Sequence, residues 1–267
     1  NENKIIGIIT IDDVVDIIVE EANEDMAALN QVSKMEEPYL KTPVIKLVWK
    51  CLPWIVVLMV LQVGSGLITN SFESTIGSFA FLAVFSPLIL DAGGNSGGQT
   101  TTMIVRSLAM DEFEKGDFKR VIWKELRVAS LIAIIIGVFA TLWTFFEMTV
   151  LKFGNDSIVV EYWDAIDNEI LAKLIVACLV GISLMVTMII SRMIGCCLPF
   201  LAKLVHVDPA VFCGPFTTTI VDIISLLTYF LLWTLVFQPL FGIHPVPPEE
   251  AASALSLASS VLRSLCI

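Results

Sequence analysis

Five apolar stretches, at about residues 48–68, 75–108, 126–151, 171–202 and 214–241, dominate this 267-residue chain. Each reaches the roughly 20 residues a helix needs to cross the hydrocarbon core of a bilayer. Lipid offers backbone N–H and C=O groups no partners, so such segments must satisfy them internally. With 56% hydrophobic residues, 16% charged residues and a mean hydropathy of +0.84, the chain is too apolar for a soluble domain. The fold class expected is an all-α polytopic membrane protein with five transmembrane helices per protomer. The second and fourth stretches exceed a single crossing, which requires tilt, an internal break or a protruding end. No repeat of about 20–50 residues is evident, so one chain has no internal symmetry from which to build a pore.

Charge in the connections sets an orientation. Lys4, Lys34, Lys41, Lys46 and Lys50 precede or edge the first stretch, and Arg106, Lys115, Lys119, Arg120, Lys124 and Arg127 join the second to the third. Arg192 and Lys203 are assigned to the fourth-to-fifth connection, whereas only Lys152, Lys173 and Arg263 fall on the other side. The positive-inside rule then predicts a cytoplasmic amino end and an outer carboxyl end, in keeping with an odd number of spans. A net charge of −11 argues against nucleic acid as a partner and for cations. The chain starts at Asn1 without a basic-then-apolar signal segment and is read as a piece of a longer protein. Cys51, Cys178, Cys196, Cys197, Cys213 and Cys266 form no CxxC pair, and His206 and His244 are the only histidines. The cysteines are read as small buried hydrophobes, without a disulfide framework.

Residues 1–29 are soluble in character. Lys4 to Thr10 reads as a short strand, and Thr10 with Asp13 forms a capping-box signal. A helix is expected to follow, with Val15, Ile18, Ala22, Met26 and Leu29 on one stripe. The stretch GIITIDDVVDIIVEEANEDM resembles the closing strand and helix of a cystathionine-beta-synthase-type (CBS) regulatory domain. Residues 30–47 form a polar connecting segment broken by Pro38 and Pro43.

Inside the second apolar stretch lies PLILDAGGNSGGQTTTMIVRSL, Pro87 to Leu108. Asp91 falls about 24 Å from the start of that stretch at 1.5 Å per residue. It precedes Gly93, Gly94, Gly97 and Gly98, which frame Asn95, Ser96 and Gln99 ahead of three threonines. The glycines allow close backbone approach, and a broken helix here would turn carbonyls toward a cavity. Tight helix packing is the alternative use of such glycines. The carboxylate and amides beside them favour a permeation site.

The second intramembrane carboxylate is Asp222, after PFTTTIV in the fifth stretch, about 12 Å inside a start near Gly214 at the same rise. Thr218 lies one turn before it, and Pro215 and Thr219 share a neighbouring face. Ionisable groups at such depth are costly and usually mark an ion path. The alternative is a structural aspartate neutralised by a proton or by Arg192.

These segments together resemble the transmembrane domain of the MgtE family of magnesium channels and transporters. The residues that carry the resemblance are FES at Phe72–Ser74, the PLILDAGGNSGGQTTTMIVRSLA run, VDPA at Val207–Ala210 and PFTTTIVD at Pro215–Asp222. The resemblance implies a transmembrane domain over residues 48–241, with a tail of unassigned structure over 242–267. It implies a multi-pass homodimer in the cell (inner) membrane, with one pore on the two-fold axis lined by the second and fifth spans. Asp222 aligns with the family's pore aspartate, and Asn95, Thr102, Ala210, Thr218 and Thr219 match neighbouring pore positions. The transported ion is then Mg2+, which keeps several waters while one or two carboxylates hold it. Calcium, content with six to eight direct oxygens, is disfavoured where geometry enforces the hydrated octahedron. Such families also place a magnesium sensor near the CBS region, which points to Glu20, Glu21, Glu24 and Asp25 as a possible regulatory site. A solvated acidic helix face is the competing reading.

Three rival readings have distinct consequences. An ion-coupled secondary carrier would use Asp91 or Asp222 to bind a proton or sodium. An intramembrane aspartyl protease would need Tyr-Asp and Gly-x-Gly-Asp pairs, and here Leu90 precedes Asp91 while Val221 precedes Asp222. The chain is therefore not read as an enzyme. An assembly scaffold without transport leaves the buried carboxylates unexplained.

Overall fold

The computed structural model describes residues 9–30, 32–33, 39–78, 81–114, 116–152 and 169–237. All regular elements among them are helical: α1 (Ile11–Leu29), a 3-10 turn (Tyr39–Lys41), α2 (Val44–Leu61), α3 (Val63–Ser71), α4 (Glu73–Ser78), α5 (Phe81–Ala109), α6 (Phe118–Thr149), α7 (Glu169–Leu204) and α8 (Pro209–Leu232), the last running into a π-turn (Trp233–Phe237). Most of the strand expected over Lys4 to Thr10 lies outside the described residues, as do residues 153–168 and 238–267.

The amino-terminal expectation of a capped helix is met. Thr10 caps α1 by accepting from the Asp13 N–H at 3.4 Å, and the Asp13 carboxylate accepts from the Thr10 N–H at 2.9 Å. The same bonds, with the Thr10 hydroxyl donating at 2.6 Å, hold the Asp13 carboxyl below its ordinary range. The stripe on α1 has no cover from this chain: Val15, Ile18 and Met26 are all exposed. Only the end of α1 reaches the bundle, where Ala28 packs beside Ala210 and Cys213.

Four helical stretches are long and apolar enough to cross a membrane: α2 continued by α3 through Gln62, α6, α7, and α8 with its π-turn. The helix α5 has 29 residues, ample length, but its polar run lowers its hydropathy. It is also unbroken. An internal break, one of the three expected ways to fit this long stretch, does not occur: the glycine run stays helical and Pro87 is accommodated inside the helix.

Contacts between the helices give their directions. Along α5 and α8, Gly93 faces Ser225, Gly97 faces Val221 and Thr101 faces Thr217, so the two helices run antiparallel. Glu125 pairs with Arg192 and Gly137 meets Met185, so α6 and α7 are antiparallel as well. Gly64 touches Ile223 and Phe72 stacks near Phe230, which makes α2–α3 parallel to α8. Among the described residues, neighbouring helical stretches therefore alternate in direction.

The turn from α7 to α8 has a local cause. His206 adopts φ 59°, and the Val207 N–H returns to the Ala202 carbonyl at 3.0 Å, a left-handed termination of α7. Asp208 then caps α8 by accepting from the Ala210 N–H at 2.8 Å, with Pro209 at the first helical position. The VDPA motif is thus a helix start.

The core sits between α5, α7 and α8, with α6 packed on α7. Phe81 meets Trp233 edge-on at 4.9 Å and Phe72 lies 5.3 Å from Phe230, closing one end. Phe200 gathers Phe118 and Phe113 at 5.0 and 5.7 Å at the other. Cys196 and Cys213 are buried as expected, whereas Cys178 and Cys197 are exposed on the bundle surface.

Glycine closes the middle. A Cβ on Gly195 would overlap the Gly97 carbonyl, and one on Gly181 would meet the Thr141 hydroxyl and the Gly137 carbonyl. Gly195→Ala is expected to cost about 1–3 kcal/mol as an overpacking change. Gly66→Ala, where nothing lies within 4 Å, is expected to stay within about 0.5 kcal/mol. Thermal unfolding in detergent separates the two, and equal midpoints would refute the packing assignment.

Candidate functional site

The two faces of α5 have opposite chemistry. Gly93, Ser96, Gly97, Thr100 and Thr101 are buried against α6, α7 and α8, whereas Asp91, Asn95, Gln99 and Thr102 are exposed. Residues 91, 95, 99 and 102 recur at helical spacing, so the exposed polar groups form one row along the helix. Within α8, Thr218 is exposed and Asp222 is half-buried one turn later.

Glycine brings the row and Asp222 together. A Cβ built on Gly94 would lie 3.3 Å from the Asp222 Oδ1, so the carboxylate rests against the bare backbone of α5 at mid-helix. Gly93 is held closer still, with the Ser225 Oγ 2.5 Å from its would-be Cβ and the Ser191 Oγ at 3.2 Å. Gly93 and Gly97 thus serve close packing. Gly98 faces open space.

The remaining expected site residues are less uniform. Thr102 is exposed, and its hydroxyl donates back to the Gly98 carbonyl at 3.0 Å. Thr219 is buried, and Ala210 is packed against Val105, Leu198 and Cys213 at the start of α8, about three turns from Asp222. The Ala210 side chain is therefore not part of the exposed polar surface.

A buried ion pair was not anticipated from the sequence. Arg192 is 1% exposed and donates to the Glu125 Oε1 from Nε at 2.8 Å and from Nη2 at 2.6 Å. The Thr100 hydroxyl donates to the same oxygen at 2.9 Å. Arg192 is thus a helix-interior residue, spent on Glu125 and not on Asp222, and it does not count among the connecting-loop charges. The signal was present: an arginine inside an apolar stretch demands a carboxylate at matching depth, and Glu125 stands at the edge of the preceding stretch. A second bond, from the Thr101 hydroxyl to the Gly195 carbonyl at 3.0 Å, ties α5 to α7 on the same level.

The acidic end of α1 lies against the start of α8. Burial and the nearby charges of Asp208, Glu21 and Glu24 raise the Asp25 carboxyl above its ordinary value of 3.8. A carboxyl raised in the docked state favours docking where it is protonated. Docking of α1 is therefore firmest below the ordinary carboxylate range and weakens as pH rises through the raised value. Asp25→Asn removes that repulsion at neutral pH. Amide exchange over residues 22–30 is expected to slow, and faster exchange in the variant would contradict the assignment.

The sequence of this chain matches the family model MgtE, divalent cation transporter, over residues 86–232. It is 30% identical over 228 residues to the magnesium transporter MgtE of Thermus thermophilus and, equally, to that of Bacillus subtilis. The Enterococcus faecalis magnesium transporter MgtE is 29% identical over 229 residues. These alignments take in 85–86% of this chain and 45% of each relative, so the chain spans about half the length of the curated relatives it matches. The matched segment contains α5 from Ser86 onward, all of α6 and α7, and α8 with Asp222, and on that basis the chain belongs to the MgtE family of divalent cation transporters.

Proposed function

We propose that two copies of this chain assemble on a two-fold axis in the cell (inner) membrane and move Mg2+ through a shared pore lined by α5 and α8. The observation that carries this reading is the row of Asp91, Asn95, Gln99 and Thr102, exposed along α5, whereas exposed mid-helix positions of α2 and α6 such as Val56, Met59, Leu131, Ile135, Phe139 and Leu142 are apolar. Against lipid Asp91, Asn95 and Gln99 would lack water to solvate them at a cost of several kcal/mol. Against a second copy and water they line a conduit. Magnesium is the ion for which the relatives are named.

In this arrangement α2–α3, α5, α6, α7 and α8 are the five spans, with the amino end cytoplasmic. The helix α1 is the last helix of a CBS-type domain. Asp222 of each protomer holds the ion through its water shell, and Thr218 and the amides of α5 accept or donate to those waters. Mg2+ gives up its waters reluctantly, so a site built to grip the hydrated ion needs few direct ligands and discriminates against Ca2+. Asp25 feels the charges of Asp208, Glu21 and Glu24, and with Glu20 these carboxylates of α1 make the candidate regulatory patch near the start of the pore helix. A cytosolic divalent cation there would offset their repulsion and hold α1 against α8.

Ion flux into liposomes holding the purified chain tests the reading. Wild type is expected to pass Mg2+ in preference to Ca2+. Asp222→Asn, which keeps the shape and removes the charge, is expected to reduce Mg2+ flux by about tenfold or more, the scale of a lost charged contact. Undiminished Mg2+ flux in Asp222→Asn would overturn the proposal.

A further inference from the structure

We propose that Glu125 is a positioning residue that fixes the rotation of α5, and so selects which of its side chains face the ion path. The inference rests on the pore reading above and deepens it. A helix surface made of Gly93, Gly94 and Gly97 approaches its neighbours closely but carries no side-chain knobs there to lock into their grooves. Such a surface fixes distance better than it fixes rotation. A rotation by one residue, about 100°, would carry Asn95 and Gln99 away from the exposed row.

Directional bonds supply what the glycines lack. The Thr100 hydroxyl, fully buried, reaches the Glu125 Oε1 at 2.9 Å, with a longer contact to the Ser96 carbonyl at 3.3 Å. Arg192 supplies two N–H donors to the same Oε1, so one oxygen joins α5, α6 and α7. One residue on, Thr101 bonds the Gly195 carbonyl of α7 and lies 3.4 Å from the Thr217 hydroxyl of α8. Thr100 and Thr101 sit on the face opposite the exposed row, which is where a tether must act to hold that row outward. A buried ion pair adds little net stability compared with apolar packing, so its use here is better understood as fixing one arrangement. Glu125 itself lies on the far side of α5 from the row and acts only through Thr100.

The test uses the full chain in liposomes, with Mg2+ and Ca2+ flux measured on the same preparations. Thr100→Val deletes the hydroxyl at nearly constant shape and is expected to lower the Mg2+ to Ca2+ flux ratio about fivefold, the scale of one lost hydrogen bond. Thr100→Ser restores the donor and is expected to return the ratio to that of wild type. Thr100→Ala provides a second deletion, expected to match Thr100→Val, should the valine not fold. Gly137→Ala, which crowds Met185 between α6 and α7 away from α5, lowers stability without touching the tether and is expected to keep the ratio. A wild-type ratio in both Thr100 deletions, or an equal fall in Gly137→Ala, would overturn the inference. Asp222→Asn run alongside separates the two claims: undiminished flux there sinks the pore reading, whereas lost flux there with an unchanged ratio in the Thr100 deletions sinks only this one.

Discussion

A polar group at membrane depth has either a protein partner or water, because hydrocarbon supplies neither donor nor acceptor. Most of what distinguishes this bundle follows from that constraint acting on α5. One side of the helix places its hydroxyls on Glu125 and the Gly195 carbonyl, inside the protomer. On the other side Asp91, Asn95 and Gln99 are exposed among the described residues. Thr100 and Thr101 bonded inside the protomer, with Asp91, Asn95 and Gln99 exposed on the other side, give α5 an asymmetry that is the physical basis of the proposed two-fold pore.

Close approach makes the asymmetry possible. The carboxylate of Asp222 can rest beside α5 only because Gly94 has no side chain to exclude it, and α5 can reach α7 only because Gly97 and Gly195 are both bare. Backbone stays helical throughout, so the glycines act by removing bulk and not by loosening the chain. Rotation is then left to directional bonds, which explains why a fully buried arginine and a glutamate persist in a region where apolar packing would hold the helices together as well.

The acidic end of α1 is the other departure from apolar packing. Asp208 serves as the cap of α8 and faces the carboxylates of α1, so the start of the Asp222 helix and the end of the soluble segment share one electrostatic environment. In the proposed arrangement, a cation bridging them would couple α1 to the helix that carries Asp222.

By itself the sequence determined the helical membrane class and the capped α1, and it singled out Asp222 and the glycine run as candidates. Each rests on local signals: apolar length, capping chemistry, or an ionisable group amid apolar neighbours. It left α5 open between a break and close packing, because a glycine-rich run reads the same whether the backbone opens or simply packs closely. It placed Arg192 in a loop or beside Asp222, because pairing between helices about 70 residues apart depends on how the bundle folds. Only tertiary structure decided that Glu125 takes Arg192, that Gly94 admits Asp222, and which side of α5 is left without protein. Those outcomes depend on the rotation and depth of separate helices, quantities that no local pattern in the chain encodes.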